Sequence, residues 1–201
     1  MSVPFREALA AAEMLRANLR DHCERIEIAG SLRRRKPEVK DIELVAIPAF
    51  REEAEGLWGE TVRVDLLEQR IAAMYADGDL SLRDVEVHRQ DGTTEHQQRN
   101  GRSYKALEYE GIPVDLFIVH PGEADWGVIY AIRTGPGDWN QRIVTDCQRY
   151  LRRVEKGRVY HSGQYIPCPE EEDFFRAIGQ RWYEPHERAA DKVQILSRAA
   201  A

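Results

Sequence analysis

Cysteine is scarce in this chain: Cys23, Cys147 and Cys168 are scattered through 201 residues, and no two of them form a C-x-x-C pair. That excludes a disulfide framework and a cysteine zinc site, and makes reduced core or surface thiols the expectation. Long apolar runs are lacking too. The longest, Leu44 to Phe50 and Leu116 to His120, are of strand length, far short of the ~20 residues of a membrane-spanning helix. The N-terminus has no apolar signal segment, so a cytoplasmic protein without membrane contact is expected. There is no excess of positive charge either. A formal net charge of -6 excludes a protein that coats nucleic acid by bulk electrostatics. The six histidines follow no ligand spacing, and no Ser-His-Asp or Cys-His arrangement is legible.

What is present is ordinary for a folded chain: 42% hydrophobic and 32% charged residues, enough for one domain or two small subdomains. Phe5 to Cys23, without Pro or Gly and with Leu9, Ala12, Leu15 and Leu19 at helical spacing, predicts an amphipathic helix leading into a strand at Ile26–Ile28. Glu52 to Asp77 reads as helix or loop with a buried stripe of Leu66, Leu67, Ile71 and Met74. Asp84 to Arg89 alternates like a strand, and Gln90 to Gly101 reads as a polar loop. Ser103–Glu110 and Val114–Val119 flank a turn and predict a hairpin. Beyond Pro121-Gly122 the pattern predicts a helix at Trp126–Ile132, then a turn at 134–137. A long helix from about Trp139 to Val154 follows, with Asp138 as N-cap. A hairpin through Val159–His161 and Gln164–Ile166 and a short helix near Glu171–Gly179 complete the chain, before an irregular end whose Trp182 and Tyr183 read as core.

The chemistry concentrates between Gly30 and Val45. A Gly30-Ser31 turn and the cluster Arg33-Arg34-Arg35-Lys36 precede Asp41 and Glu43, which open the strand-like run Ile42 to Ile47. Side chains at i and i+2 of a strand share a face. Two oxygen donors on one face suit Mg²⁺, and a Gly-Ser turn beside guanidinium groups suits polyphosphate. In Val114–Val119 a single Asp115 interrupts an apolar strand, where a charge is costly unless paired or coordinated. With Asp41 and Glu43 it reads as the third ligand of a carboxylate triad. Together these groups suggest metal-assisted nucleotidyl transfer.

These residues, with Thr134-Gly135, Trp139-Asn140 and the blocks Glu171–Phe175 and Tyr183–Arg188, resemble the DNA polymerase beta-like (family X) nucleotidyltransferases from about Ile26 to Ala190. The resemblance implies an α+β fold. A nucleotidyltransferase palm with a mixed β-sheet flanked by helices would occupy residues 1–122, and a small α+β nucleotide-selecting subdomain residues 123–201. It implies that Asp41, Glu43 and Asp115 bind two Mg²⁺ ions, or Mn²⁺. Gly30, Ser31, Arg33, Arg34, Thr134, Gly135 and Asn140 would bind the nucleotide, with Trp139 as packing. Arg149, Arg152 and Arg153 would contact nucleic acid, although a solvated helix face is the blander reading. The implied activity is gap filling by a monomer, adding a nucleotide from a dNTP or rNTP to a primer 3′-hydroxyl on gapped or primer–template DNA. The alternative is a template-independent transferase acting on a nucleic acid end, a protein or a small molecule. Four departures bear on that choice: Glu43 where the family usually has Asp, Lys40 before the first carboxylate, Val144 where an Arg can approach the templating base, and Ile132-Arg133 (or, with a gap, Tyr130-Ala131) in place of an aromatic pair. Little chain precedes the palm-like part, so no lyase activity is expected.

Overall fold

The computed structural model describes residues 2–55, 60–88 and 91–193. In chain order its elements begin with β1 (Val3–Pro4), α1 (Phe5–Arg20), β2 (Cys23–Ile28), α2 (Gly30–Arg33), β3 (Glu38–Val39) and β4 (Ile42–Pro48). Next come β5 (Phe50–Glu55), β6 (Glu60–Asp65), α3 (Leu66–Ala76), β7 (Leu80–Leu82), β8 (Asp84–His88), β9 (Thr94–Gln98), β10 (Tyr104–Tyr109) and β11 (Ile112–Ile118). The remainder is α4 (Trp126–Thr134), α5 (Gly137–Gln148), β12 (Arg152–Glu155), β13 (Arg158–His161), β14 (Gln164–Ile166) and α6 (Glu171–Ile178), followed by two short 3₁₀ turns. Together they make an α+β protein with a mixed five-stranded sheet flanked by helices and a small C-terminal α+β part. Among the described residues no helix is long and apolar enough to cross a membrane.

The chain divides into two compact units, residues 1–28 with 38–118 and residues 29–37 with 119–201. The second unit thus joins the short segment 29–37 to the C-terminal part of the chain.

In the first unit the sheet order is β2-β4-β11-β10-β7, with β4 and β11 parallel and the other neighbours antiparallel. The apolar run of β4 is the reason it is central: Ile42, Leu44, Val45 and Ala46 are completely buried. α1 buries Ala8, Ala11, Ala12, Leu15 and Leu19, and α3 buries Leu67, Ile71 and Met74, one stripe per helix. Asp65 caps α3 by accepting the Glu68 N–H at 3.0 Å. The β10–β11 hairpin closes through Glu110 and Gly111, both at positive φ (53° and 73°), which is what a tight two-residue hairpin turn demands.

Several local expectations are corrected here. The stretch read as helix or loop from Glu52 carries the ribbon β5–β6 before α3 begins at Leu66. Its pairing is carried by the backbone, and its charged, mostly exposed side chains hide the strand period. The polar loop read from Gln90 contains β9, which pairs with β8 and is exposed at every residue. Arg89 and Gln90 themselves lie outside the described residues.

The second unit packs α4, α5 and α6 with the three-stranded sheet β12-β13-β14 around Val128, Trp139, Ile143, Val159, Phe174, Phe175 and Ile178. Here α5 ends at Gln148 instead of running to Val154. The chain reverses through Leu151 at φ 57°, so that Val154 enters β12 and its side chain joins the core beside Val159. Asp138 is not the N-cap of α5; Pro136 is, and Asp138 accepts the Trp139 N–H at 2.9 Å inside the first turn. Trp139 is buried, as packing requires. Gly127 is obligatory in α4, because a Cβ there would collide with the Glu170 carbonyl. α6 carries a capping box between Glu170 and Asp173 and stops at Gly179 in the left-handed region. Cys147 and Cys168 are buried free thiols, and burial, then the charges of Asp125 and Asp173, push Cys168 up to about 12.

Candidate functional site

In the first unit, parallel pairing puts Asp115 of β11 directly beside Glu43 of β4, with Val114 beside Ile42. Residues in register across a parallel pair share a face, with strands ~4.8 Å apart, so the two carboxylates are neighbours. Asp41 lies at the bend two residues before Glu43, and all three are only partly buried. On the other side of β11, buried Ala106 is the register partner of Asp115.

The donor set fits a hard cation: three carboxylates and no sulfur or nitrogen. Among the described residues, however, no three His, Cys, Asp or Glu side chains are gathered as a ready ligand group. Asp115 is already engaged. Its Oδ1 accepts a hydrogen bond from the Arg83 guanidinium and another from the Tyr104 hydroxyl at 2.9 Å. Tyr104 is fixed in turn by stacking on Phe117, ring centroids 5.2 Å apart. Burial, then the adjacent Asp115 charge, pushes the Tyr104 hydroxyl up to about 12, so it remains a donor at neutral pH. Neither residue carries a sequence signal. Arg83 merely follows a three-residue strand, and Tyr104 reads as an ordinary strand aromatic.

The second unit gathers Gly30–Arg34 with Thr134 and Gly135. Arg33 Nη1 donates to Thr134 Oγ1 at 2.7 Å, and Arg34 donates to the Thr134 carbonyl. Gly135, at φ 66°, leaves room for Arg34: a Cβ there would stand 3.0 Å from Nη1. Ser31 Oγ is buried with no hydrogen-bond partner among the described residues, an orphan polar atom of the kind that awaits a ligand or water. Asn140, in the first turns of α5, donates its Nδ2 to the Ile132 carbonyl at 2.6 Å. Val144, one turn later, packs against the core.

Arg33 is held by partners within the second unit. Its guanidinium forks onto Glu171 of α6 at 2.7 and 2.8 Å and lies over the Tyr130 ring, 3.9 Å from the centroid. Glu171 also receives Arg188 at 2.9 Å and the Trp182 indole N–H at 3.1 Å. Burial pushes the Glu171 carboxyl up, but the Arg33 hydrogen bonds and the Arg188 charge outweigh it, and its pKa lies below the ordinary value. Two arginines and one carboxylate, all buried or nearly so, form a structural lock. The three basic residues expected at nucleic acid divide. Arg149 caps α5 and pairs with Asp146 at 3.7 Å; Arg152 lies against Gly179; and Arg153 is open to solvent on β12. They do not lie on a helix face: two of them belong to a strand.

No protein-family model matches the chain, and no curated protein matches it.

Proposed function

We propose that this protein is a metal-dependent nucleotidyltransferase of the DNA polymerase beta-like kind that fills gaps, adding a nucleotide to a primer 3′-hydroxyl. The observation that carries the reading is the in-register pair Glu43–Asp115 on adjacent parallel strands, with Asp41 two residues upstream on the Glu43 strand. When bound, two Mg²⁺ ions would acidify the hydroxyl and neutralise the charge on the leaving pyrophosphate. Asp41, Glu43 and Asp115 are the residues that would hold them. Phosphoryl transfer asks the protein mainly for positioning and charge neutralisation, which such a polar set supplies.

In the second unit the orphaned Ser31 hydroxyl and the Arg34 guanidinium are the groups assigned to the β- and γ-phosphates. Arg33, which contacts Glu171, Thr134 and Tyr130, would hold that cradle in place beside the phosphates. Asn140 would meet the nucleotide near its sugar or base.

A second reading, template-independent transfer, is favoured by one observation: Val144 is absorbed in the core, so that position offers no polar group to read a template. Extension of a labelled primer on one-nucleotide-gapped DNA separates the two. With single dNTPs or rNTPs and Mg²⁺ or Mn²⁺, the polymerase reading expects incorporation that follows the template base and vanishes in Asp115→Ala. Addition regardless of template would establish the second reading, and no addition to any nucleic acid end would overturn the polymerase assignment.

A further inference from the structure

The outer face of the β12-β13-β14 sheet sets Tyr160, Tyr165 and Arg158 beside Arg153, the one residue of this face already expected at nucleic acid. Arg153, Tyr160 and Tyr165 are consecutive register partners across the three strands, so they form one row on one face. The next pair in the same face is Glu155–Arg158. The opposite face is the apolar row Val154, Val159 and Ile166, which packs on the core. Alternation therefore turns the aromatic row outward, and Tyr165 is 44% exposed.

Both rings are coupled to cations and one is immobilised. Arg153 Cζ lies 5.4 Å from the Tyr160 centroid and Arg158 Cζ 5.2 Å from that of Tyr165. The Tyr165 hydroxyl donates to Asp125 Oδ1 at 2.6 Å, which fixes its ring. The rings stand 6.1 Å apart and tilted by 53°, so they are not stacked face to face on each other. A groove of about 370 Å³ runs beside them, lined by Leu151, Arg152, Arg153, Tyr160, Ser162 and Gly163. From residue 149 to residue 166 the chain holds five Lys or Arg (Arg149, Arg152, Arg153, Lys156, Arg158) and one carboxylate, Glu155, against a whole-chain charge of -6. Local positive charge interleaved with exposed aromatics suits a flexible polyanion whose bases have open π-faces.

We propose that this sheet face is a stacking platform for single-stranded nucleic acid, with Tyr160 and Tyr165 receiving bases and Arg153 and Arg158 its phosphates. As a statement about substrate it rests on the nucleotidyltransferase reading, but its binding is measurable without catalysis. The test is fluorescence anisotropy with labelled dT15 and rU15, without nucleotide or metal. Tyr160→Phe, which keeps the ring, should bind like wild type. Tyr160→Ala and Tyr165→Ala should each weaken binding about tenfold, and Arg153→Ala and Arg158→Ala should each lower the salt slope by about 0.7. Binding that falls only in the arginine variants, or in none, would overturn the platform. A variant-free check is photocrosslinking of a 5-iodouracil oligonucleotide: adducts on Tyr160 or Tyr165 uphold the proposal, and adducts confined elsewhere overturn it. A chain that shows these losses yet extends no primer keeps the platform and loses the polymerase reading.

Discussion

The protein handles charge in opposite ways in its two units. In the first, Asp41, Glu43 and Asp115 sit partly exposed on or just before the parallel strands β4 and β11, and Asp115 meets one arginine and one tyrosine. In the second, the carboxylate of Glu171 is buried under two arginines and an indole N–H. Partly exposed carboxylate oxygens can take a cation, whereas breaking up a buried, paired carboxylate costs several kcal/mol. Motif residues alone do not reveal this difference, since Arg33 and Arg34 are adjacent in sequence and only Arg33 is spent on the lock.

The two units should differ most sharply when Asp115 and Glu171 are each removed. Asp115→Ala should lower nucleotidyl transfer by at least about 10³-fold, several kcal/mol of transition-state stabilisation. Its unfolding free energy should shift by only about 1 kcal/mol, because the pair it loses is partly solvated; primer extension and urea denaturation measure the two effects. Glu171→Ala should do the reverse to stability, costing about 3–5 kcal/mol by stranding two buried guanidinium groups, read from the denaturation midpoint. Because the Glu171 pKa is lowered in the fold, its contribution is present above about 4.5 and is lost as pH falls below it. Glu171→Gln should therefore flatten the acid limb of stability against pH; an unchanged limb would deny the lock its charge. Arg83→Ala, by freeing Asp115, should tighten Mn²⁺ binding about five- to tenfold, roughly 1 kcal/mol of removed competition, seen by electron paramagnetic resonance of free Mn²⁺. Equal affinity would mean that Asp115 is not a ligand. The smallest effect is expected from Tyr104→Phe, which deletes one hydrogen bond to Asp115 and should cost about 1 kcal/mol or less in stability, while moving Mn²⁺ affinity in the same direction as Arg83→Ala.

Legibility follows burial. α1 and α6 each bury one stripe, and β4 and the β10–β11 hairpin are largely buried, so their apolar residues announce them. β5, β6 and β9 bury little, pair mainly through backbone, and therefore resemble loop or helix in sequence. Apolar spacing overextends α5, because Val154 continues its period; the reversal at Leu151 depends on β12 finding β13, a pairing that no local pattern encodes. Among candidate site residues, the carboxylates and the Gly30–Arg34 turn stand out by type and spacing. Arg83, Tyr104 and the locking roles of Glu171 and Arg188 do not, because each acts only through a partner distant in the chain.

The sequence by itself determined the strand character around Asp41, Glu43 and Asp115 and the positions of the main helices, since apolar periodicity and turn residues are local properties. Only the tertiary structure decided that Glu43 and Asp115 are register partners, that Arg83 holds Asp115, and that Arg33 serves Glu171. Strand register and ion pairing are settled by which surfaces bury together, and that is a property of the whole chain rather than of any stretch of it.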